Sequence, residues 1–127
     1  MIVDSSALAA VALGESDAEG FREVFEYIDD LKISAATYLE AAIVLDQRKP
    51  GSLDRLANGL EMRVVPVDRE QMEIARVAYR TFGRGSGHRA GLNFGDCFTY
   101  ALARFTEEPV LAKGDDFRAT DIECVQV

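Results

Sequence analysis

What this chain lacks narrows its chemistry before any motif is read. It has no tryptophan, three prolines, two cysteines and one histidine. His88 has no Cys or His neighbour, which argues against a zinc site, and one isolated imidazole supports no serine–histidine–acid triad. Cys97 and Cys124 cannot form a disulfide framework; they read as small core residues of a protein kept in a reducing, cytoplasmic compartment. No apolar run approaches a membrane span, and the start of the chain shows neither the basic segment nor the small-residue cleavage site of a signal peptide. The glycines at 83, 85, 87 and 91 lack the GK[ST] ending of a phosphate loop and do not form a GxGxxG turn. Internal repeats and low-complexity tracts are absent.

What is present is a chain of 127 residues, 48% hydrophobic, which is enough for one domain, residues 1–127, with a real core. The formal net charge of -8 disfavours indiscriminate binding to a polyanion. Its distribution is uneven, however. From Ile74 to Gly95 there is no acid, and Arg76, Arg80, Arg84, His88 and Arg89 all fall within that window.

Short apolar runs alternate with helical patterns. Met1–Asp4, Leu31–Ser34, Met62–Val67, Pro109–Ala112 and Ile122–Val127 read as strands, with Pro66 interrupting the third. A small-residue helix over Ala7–Leu13 is capped by Ser5 or Ser6 and ended by Gly14. Asp17 and Asp68 start two amphipathic helices, and Leu53–Leu60 is a shorter one. Thr37-Tyr38-Leu39-Glu40 has the pattern of a capping box. Residues 82–91 form a basic, glycine-rich loop expected to be the most mobile segment. Strand–helix alternation predicts an α/β fold, a small and mostly parallel sheet flanked by helices on both faces. In such sheets ligands bind beyond the carboxyl ends of the strands.

The stretch Leu92-Asn93-Phe94-Gly95-Asp96-Cys97-Phe98-Thr99-Tyr100-Ala101-Leu102-Ala103 places a carboxylate, Asp96, in the first turn of an apolar helix that Asn93 can cap. Asp4 stands where the first strand runs out, Glu40 near a helix start, and Asp115 and Asp116 just past the fourth strand. Each acid has an ordinary alternative as a cap or turn residue. Jointly, three or four acids brought to one sheet edge repel one another unless a cation lies among them. Carboxylates and water suit a hard ion such as Mg²⁺, which polarises a phosphoryl oxygen and activates water. Ser6 can orient a ligand or water, or cap. Arg76, Arg80 and Arg84, four residues apart, share one side of a helix and its exit, and with Arg89 are candidates for steering a phosphate backbone.

Three segments together resemble a known family over nearly the whole chain. Ile2-Val3-Asp4-Ser5-Ser6-Ala7, the Leu92–Ala103 stretch and Val110–Ile122, with its Lys113-Gly114-Asp115-Asp116-Phe117 turn, are similar to the motifs of PIN-domain ribonucleases of the VapC toxin type. The resemblance implies an acidic triad of Asp4, Glu40 and Asp96 around Mg²⁺ or Mn²⁺. It gives the fourth acid to Asp115, with Asp116 next to it, and places Ser6 as the small hydroxyl beside the first Asp. It further implies endonucleolytic cleavage of single-stranded or loop RNA, such as that of tRNA or rRNA, leaving a 5'-phosphate. The partners it implies are a VapB-type antitoxin, through which DNA is met only indirectly, and a second copy of the chain in a homodimer. Competing expectations are a catalytically idle PIN-fold binding module and a structure-specific DNA nuclease.

Overall fold

Ile2 and Val3 form the central strand β1, and both are fully buried because the sheet is covered on each face. The computed structural model describes residues 1–127. After β1 come helices α1 (Ser5–Leu13) and α2 (Ala18–Tyr27), strand β2 (Leu31–Ser34), and helices α3 (Ala35–Arg48) and α4 (Ser52–Asn58). Strand β3 (Met62–Val65), helices α5 (Arg69–Phe82) and α6 (Phe94–Thr106), and strands β4 (Val110–Leu111) and β5 (Cys124–Val125) complete the fold. A 3-10 turn over Phe117–Ala119 lies between the last two strands.

The five strands are all parallel, in the order β3-β2-β1-β4-β5. The chain starts at the centre, winds out to β3, then crosses back past β1 to β4 and β5. The direction of winding therefore reverses between β1 and β4. Their carboxyl ends diverge into loops there, which is where an open parallel sheet leaves a crevice.

Alternation along β1 sends Val3 to one face and Ile2 to the other. Val3 joins a core with Leu8, Phe21, Ile33 and Leu45 under α1 to α4. Ile2 joins a second core with Leu92, Tyr100, Leu102 and Val110 under α5 and α6. Each such side chain contributes about 2 kcal/mol by leaving water. The alanines of α1 (Ala7, Ala10 and Ala12, all buried) let that helix lie close to the sheet.

Several expected boundaries shift for identifiable reasons. Helix α1 begins at Ser5, two residues early, because Asp4 rather than a serine is its cap and accepts from Ser6 N at 3.0 Å. Gly14 ends it in the left-handed conformation, φ 66°. The capping box at Thr37–Glu40 does not form: α3 starts at Ala35, which carries Glu40 into its second turn. Strand β3 stops at Val65, ahead of Pro66, whose ring nitrogen carries no donor for a ladder. The last two strands keep only two residues each. The loop after α5 is more tied down than its glycines suggest. Gly83 bridges Leu92, Ser86 Oγ donates to Gly83 O, and Ala90 N donates to His88 Nδ1. No helix is long and apolar enough to cross a membrane. Both cysteines are free thiols.

Candidate active site

Asp4 caps α1 at the carboxyl end of β1, and its side chain is locked at both oxygens. Oδ2 accepts from Ser6 Oγ at 2.6 Å and Oδ1 from Thr99 Oγ1 at 2.6 Å. Thr99 lies one turn beyond Asp96 on α6 and also meets Thr37 Oγ1 at 3.2 Å. The first strand, α3 and α6 are thus joined by one short chain of hydroxyls. Asp4 is 5% exposed, so its carboxylate is aimed rather than free to swing.

Asp96 is held by a reciprocal cap. Its backbone N–H donates to Asn93 Oδ1 at 2.8 Å, and its Oδ2 accepts from Asn93 N at 2.9 Å. The capping role and a functional role are therefore compatible, since the cap fixes one carboxylate oxygen and leaves the other without a protein donor. Glu40 is positioned by two residues not anticipated as part of the site. Ser5 Oγ donates to its Oε1 at 2.6 Å. Its Oε2 lies so close to the backbone of Gly95 that a Cβ there would stand 1.9 Å away. Gly95 is thus the space into which Glu40 fits.

Asp4, Glu40, Asp96 and Asp116 share one electrostatic field. Burial pushes the Asp96 carboxyl up to about 6; the Asn93 hydrogen bond opposes this, while the negative charges of Asp4, Asp116 and Glu40 add to it. Of the two adjacent acids after β4, Asp116 is the one that acts on Asp96. Asp115 is turned outward, its Oδ1 accepting from Arg118 at 3.2 Å. Gly114 turns the chain in the left-handed conformation, φ 90°, just ahead of this pair, and the 3-10 turn beginning at Phe117 follows it.

Ser6 bridges to this turn, because its hydroxyl accepts from Lys113 N at 2.9 Å. The Lys113 ammonium points away, paired with Glu15 and Asp17. The arginines separate into groups. Arg76 and Arg80 line a groove between α5 and α6, Arg89 stands beside Asp115 and Asp116, and Arg84 lines neither site.

The donor set fits a hard divalent cation. Its ligands would be carboxylate oxygens, the nearby hydroxyls belong to Ser and Thr, and neither imidazole nor thiolate competes. His88 Nδ1 is occupied within its loop, and Cys97 Sγ donates to Asn93 O at 3.3 Å. As the side chains stand, no three of them form a set that closes on an ion.

Ser5, Thr99 and Gly95 left faint signals in the sequence: Ser5 adjoins Ser6, and Thr99 is three residues from Asp96 on the same helical face. Only the fold shows that Gly95 makes room for a residue 55 positions earlier.

A parallel five-stranded sheet flanked by helices, with Asp4 at the carboxyl end of its central strand, defines the class, and the comparisons identify it. The PIN domain family model matches residues 1–123, and the chain belongs to that family. Within it the chain falls among the VapC ribonucleases. It is 50% identical to ribonuclease VapC28 of Mycobacterium tuberculosis, over 97% of this chain and 96% of the relative. It is 45% identical to ribonuclease VapC30 of the same organism, over 98% of each. In fold it is similar to the crystal structure of M. tuberculosis VapC20, described as a sarcin-ricin loop cleaving toxin. That match has a TM-score of 0.76 and 18% identity, and covers 98% of this chain and 97% of that one. A toxin-antitoxin complex from Klebsiella pneumoniae gives a TM-score of 0.70 at 15% identity, covering 91% and 88%.

Proposed function

We propose that this chain is a divalent-metal-dependent endoribonuclease, the toxin of a toxin–antitoxin pair, with Asp4, Glu40, Asp96 and Asp116 as its working acids. The observation that carries this reading is the likeness to VapC ribonucleases over nearly the whole chain; the negative charges of Asp4, Asp116 and Glu40, all acting on Asp96, support the choice of acids. Asp4 and Asp96 are the principal candidates to hold Mg²⁺ or Mn²⁺, with Glu40 and Asp116 alongside. When bound, the ion supplies Lewis-acid polarisation of the phosphoryl group and a lowered pKa for attacking water.

The chain's own residues do the rest. Thr99 and Ser6 hold both oxygens of Asp4, so that its charge is presented without reorganisation. Ser5 aims Glu40, which can hold a water or accept its proton on Oε2. Arg89 stands beside the acidic turn, where a phosphate of the strand can meet it. In a molecule of net charge -8, such contacts favour recognition by shape and a few cations over uniform attraction to the backbone. The reading also includes an antitoxin that covers the site, a homodimer and a cytoplasmic location. The names of the relatives and the toxin-antitoxin complex among the fold neighbours support the antitoxin.

The test is incubation of the purified chain with single-stranded RNA and a matched DNA strand, with Mg²⁺ or excess EDTA. Cleavage of RNA alone, leaving 5'-phosphate ends and lost both in EDTA and in Asp96→Asn, is the expected result. Cleavage that persists in EDTA contradicts the metal, and cleavage of DNA contradicts the substrate.

A further inference from the structure

Beside the acids lies a surface that the chemistry above does not use. Between α5 and the start of α6 runs a groove of about 550 Å³. Met72 and Tyr79 line one wall, Phe94 and Phe98 the other, and Cys97 belongs to its lining too. Phe94 is 78% exposed, an unusual setting for a phenyl ring, and it meets Phe98 edge to face with centroids 5.0 Å apart. Tyr79 is 45% exposed. Arg76 and Arg80 also line the groove, and no acid does, although acids outnumber bases in the chain 22 to 14. The groove and the acids share the first turn of α6: Phe94 and Cys97 flank the Gly95-Asp96 pair in the chain, and Glu40 lies over Gly95.

Exposed aromatic faces with guanidinium groups at their margin are how proteins take unpaired nucleobases. The ring stacks on the base while the cation holds the neighbouring phosphate. A purely apolar segment would use the aromatic wall alone, whereas an RNA strand uses the rings for a base and both guanidinium groups for its phosphates. We propose that this groove is a stacking pocket for one unpaired nucleobase of the RNA strand, next to the phosphate at the acids, with Phe94 as the platform and Arg76 and Arg80 on the adjoining phosphates. This rests on the ribonuclease reading and adds a contact to a base. The acids act on a phosphodiester that paired and unpaired nucleotides share, so preference for an unpaired strand falls partly to this pocket.

The experiment uses the full chain and a fluorescent, cleavage-resistant 2'-O-methyl oligoribonucleotide, with a series in which one position at a time is abasic. Binding is read by anisotropy, and cleavage is read separately on an unmodified strand. One abasic position is expected to weaken binding about tenfold, as is Phe94→Ala on the intact strand, the size typical of one lost stack. The two losses do not add in combination, and Phe94→Tyr restores binding. Should Phe94→Ala fail to fold, Tyr79→Ala and the abasic series on the wild type decide the matter. Unchanged RNA binding by Phe94→Ala, or full additivity with every abasic position, overturns the proposal. So does a variant that keeps RNA binding and loses either self-association in sedimentation or an antitoxin segment, since the groove then belongs to that occupant. If the wild type cleaves RNA while these couplings are absent, only the pocket is wrong. If it neither binds nor cleaves RNA, the underlying reading fails as well.

Discussion

The two ends of the sheet gather similar charges and treat them in opposite ways. At the amino end Lys32, 8% exposed within β2, donates to Asp30 at 2.6 Å and to Glu108 at 2.5 Å. Those two hydrogen bonds, with Asp30 first, hold the Lys32 ammonium above its usual range. Burial works against the Glu108 charge, but Lys32 and the amino group of Met1 outweigh it and hold that carboxyl below its usual range. At the carboxyl end Asp4 and Glu40 accept from hydroxyls and Asp96 from a backbone N–H; burial, with the charges of Asp4, Asp116 and Glu40, pushes the Asp96 carboxyl up. At one end the charged forms of Lys32 and Glu108 are favoured; at the other the neutral form of Asp96 is favoured. Charge that is buried and matched stabilises, whereas charge that is buried and unmatched waits for a partner.

That contrast can be broken by substitution, and the largest effect belongs to Asp96→Asn. Its amide can still accept from Asn93, so the cap survives while the charge goes. RNA cleavage should fall by about a thousandfold, the loss of a few kcal/mol of transition-state stabilisation, with folding intact by circular dichroism. At the other end Lys32→Ala should cost about 1–2 kcal/mol in denaturant unfolding, because Glu108 loses one of its two cationic partners and keeps only the Met1 amino group. Its cleavage rate per folded molecule should remain that of the wild type.

Gly95→Ala sharpens the comparison within the acidic end. Alanine favours a helix by about 1 kcal/mol over glycine. Its Cβ, however, takes the place of Glu40 Oε2, and the flexible glutamate side chain must swing off Ser5. The expectation is unchanged or slightly higher stability with cleavage reduced about tenfold, from one misplaced acid. A variant that loses both stability and activity would mean that Glu40 cannot move aside.

The smallest effect is in pH. A carboxyl whose folded value is raised binds more protons in the folded chain than in the unfolded one. Metal-free protein should therefore lose stability as pH rises from about 4 to about 6, by about 1–2 kcal/mol after solvent screening of a half-buried group. Unfolding of Asp96→Asn should lack that slope and be the more stable of the two at pH 7. The amino-end ions act with the opposite sign for their acid. Glu108, held low, contributes stability that is present above its ordinary range and lost as pH falls.

Most of the fold was legible because its punctuation is local. Gly14 ends α1, Asp68 and Asn93 cap α5 and α6, and Pro66 follows the end of β3. The acids were legible as positions but not as orientations. Thr37-x-x-Glu40 has the spacing of a cap, and only the start of α3 at Ala35, set by its packing on α1 and α6, carries Glu40 away from that role. Asp115 and Asp116 are neighbours in sequence, and only the fold shows that Asp115 pairs with Arg118 while the charge of Asp116 acts on Asp96. The strand order, which creates the crevice, depends on long-range packing that no short motif encodes.

The most direct test is a calorimetric Mn²⁺ titration of the wild type at pH 6 in two buffers of different ionisation enthalpy. A carboxyl that titrates near 6 is about half protonated there, so binding should expel about half a proton per ion, and Asp96→Asn should bind far more weakly without that release. Equal Mn²⁺ affinity in wild type and variant, with no proton release in either, would show that the four acids are not a cation site.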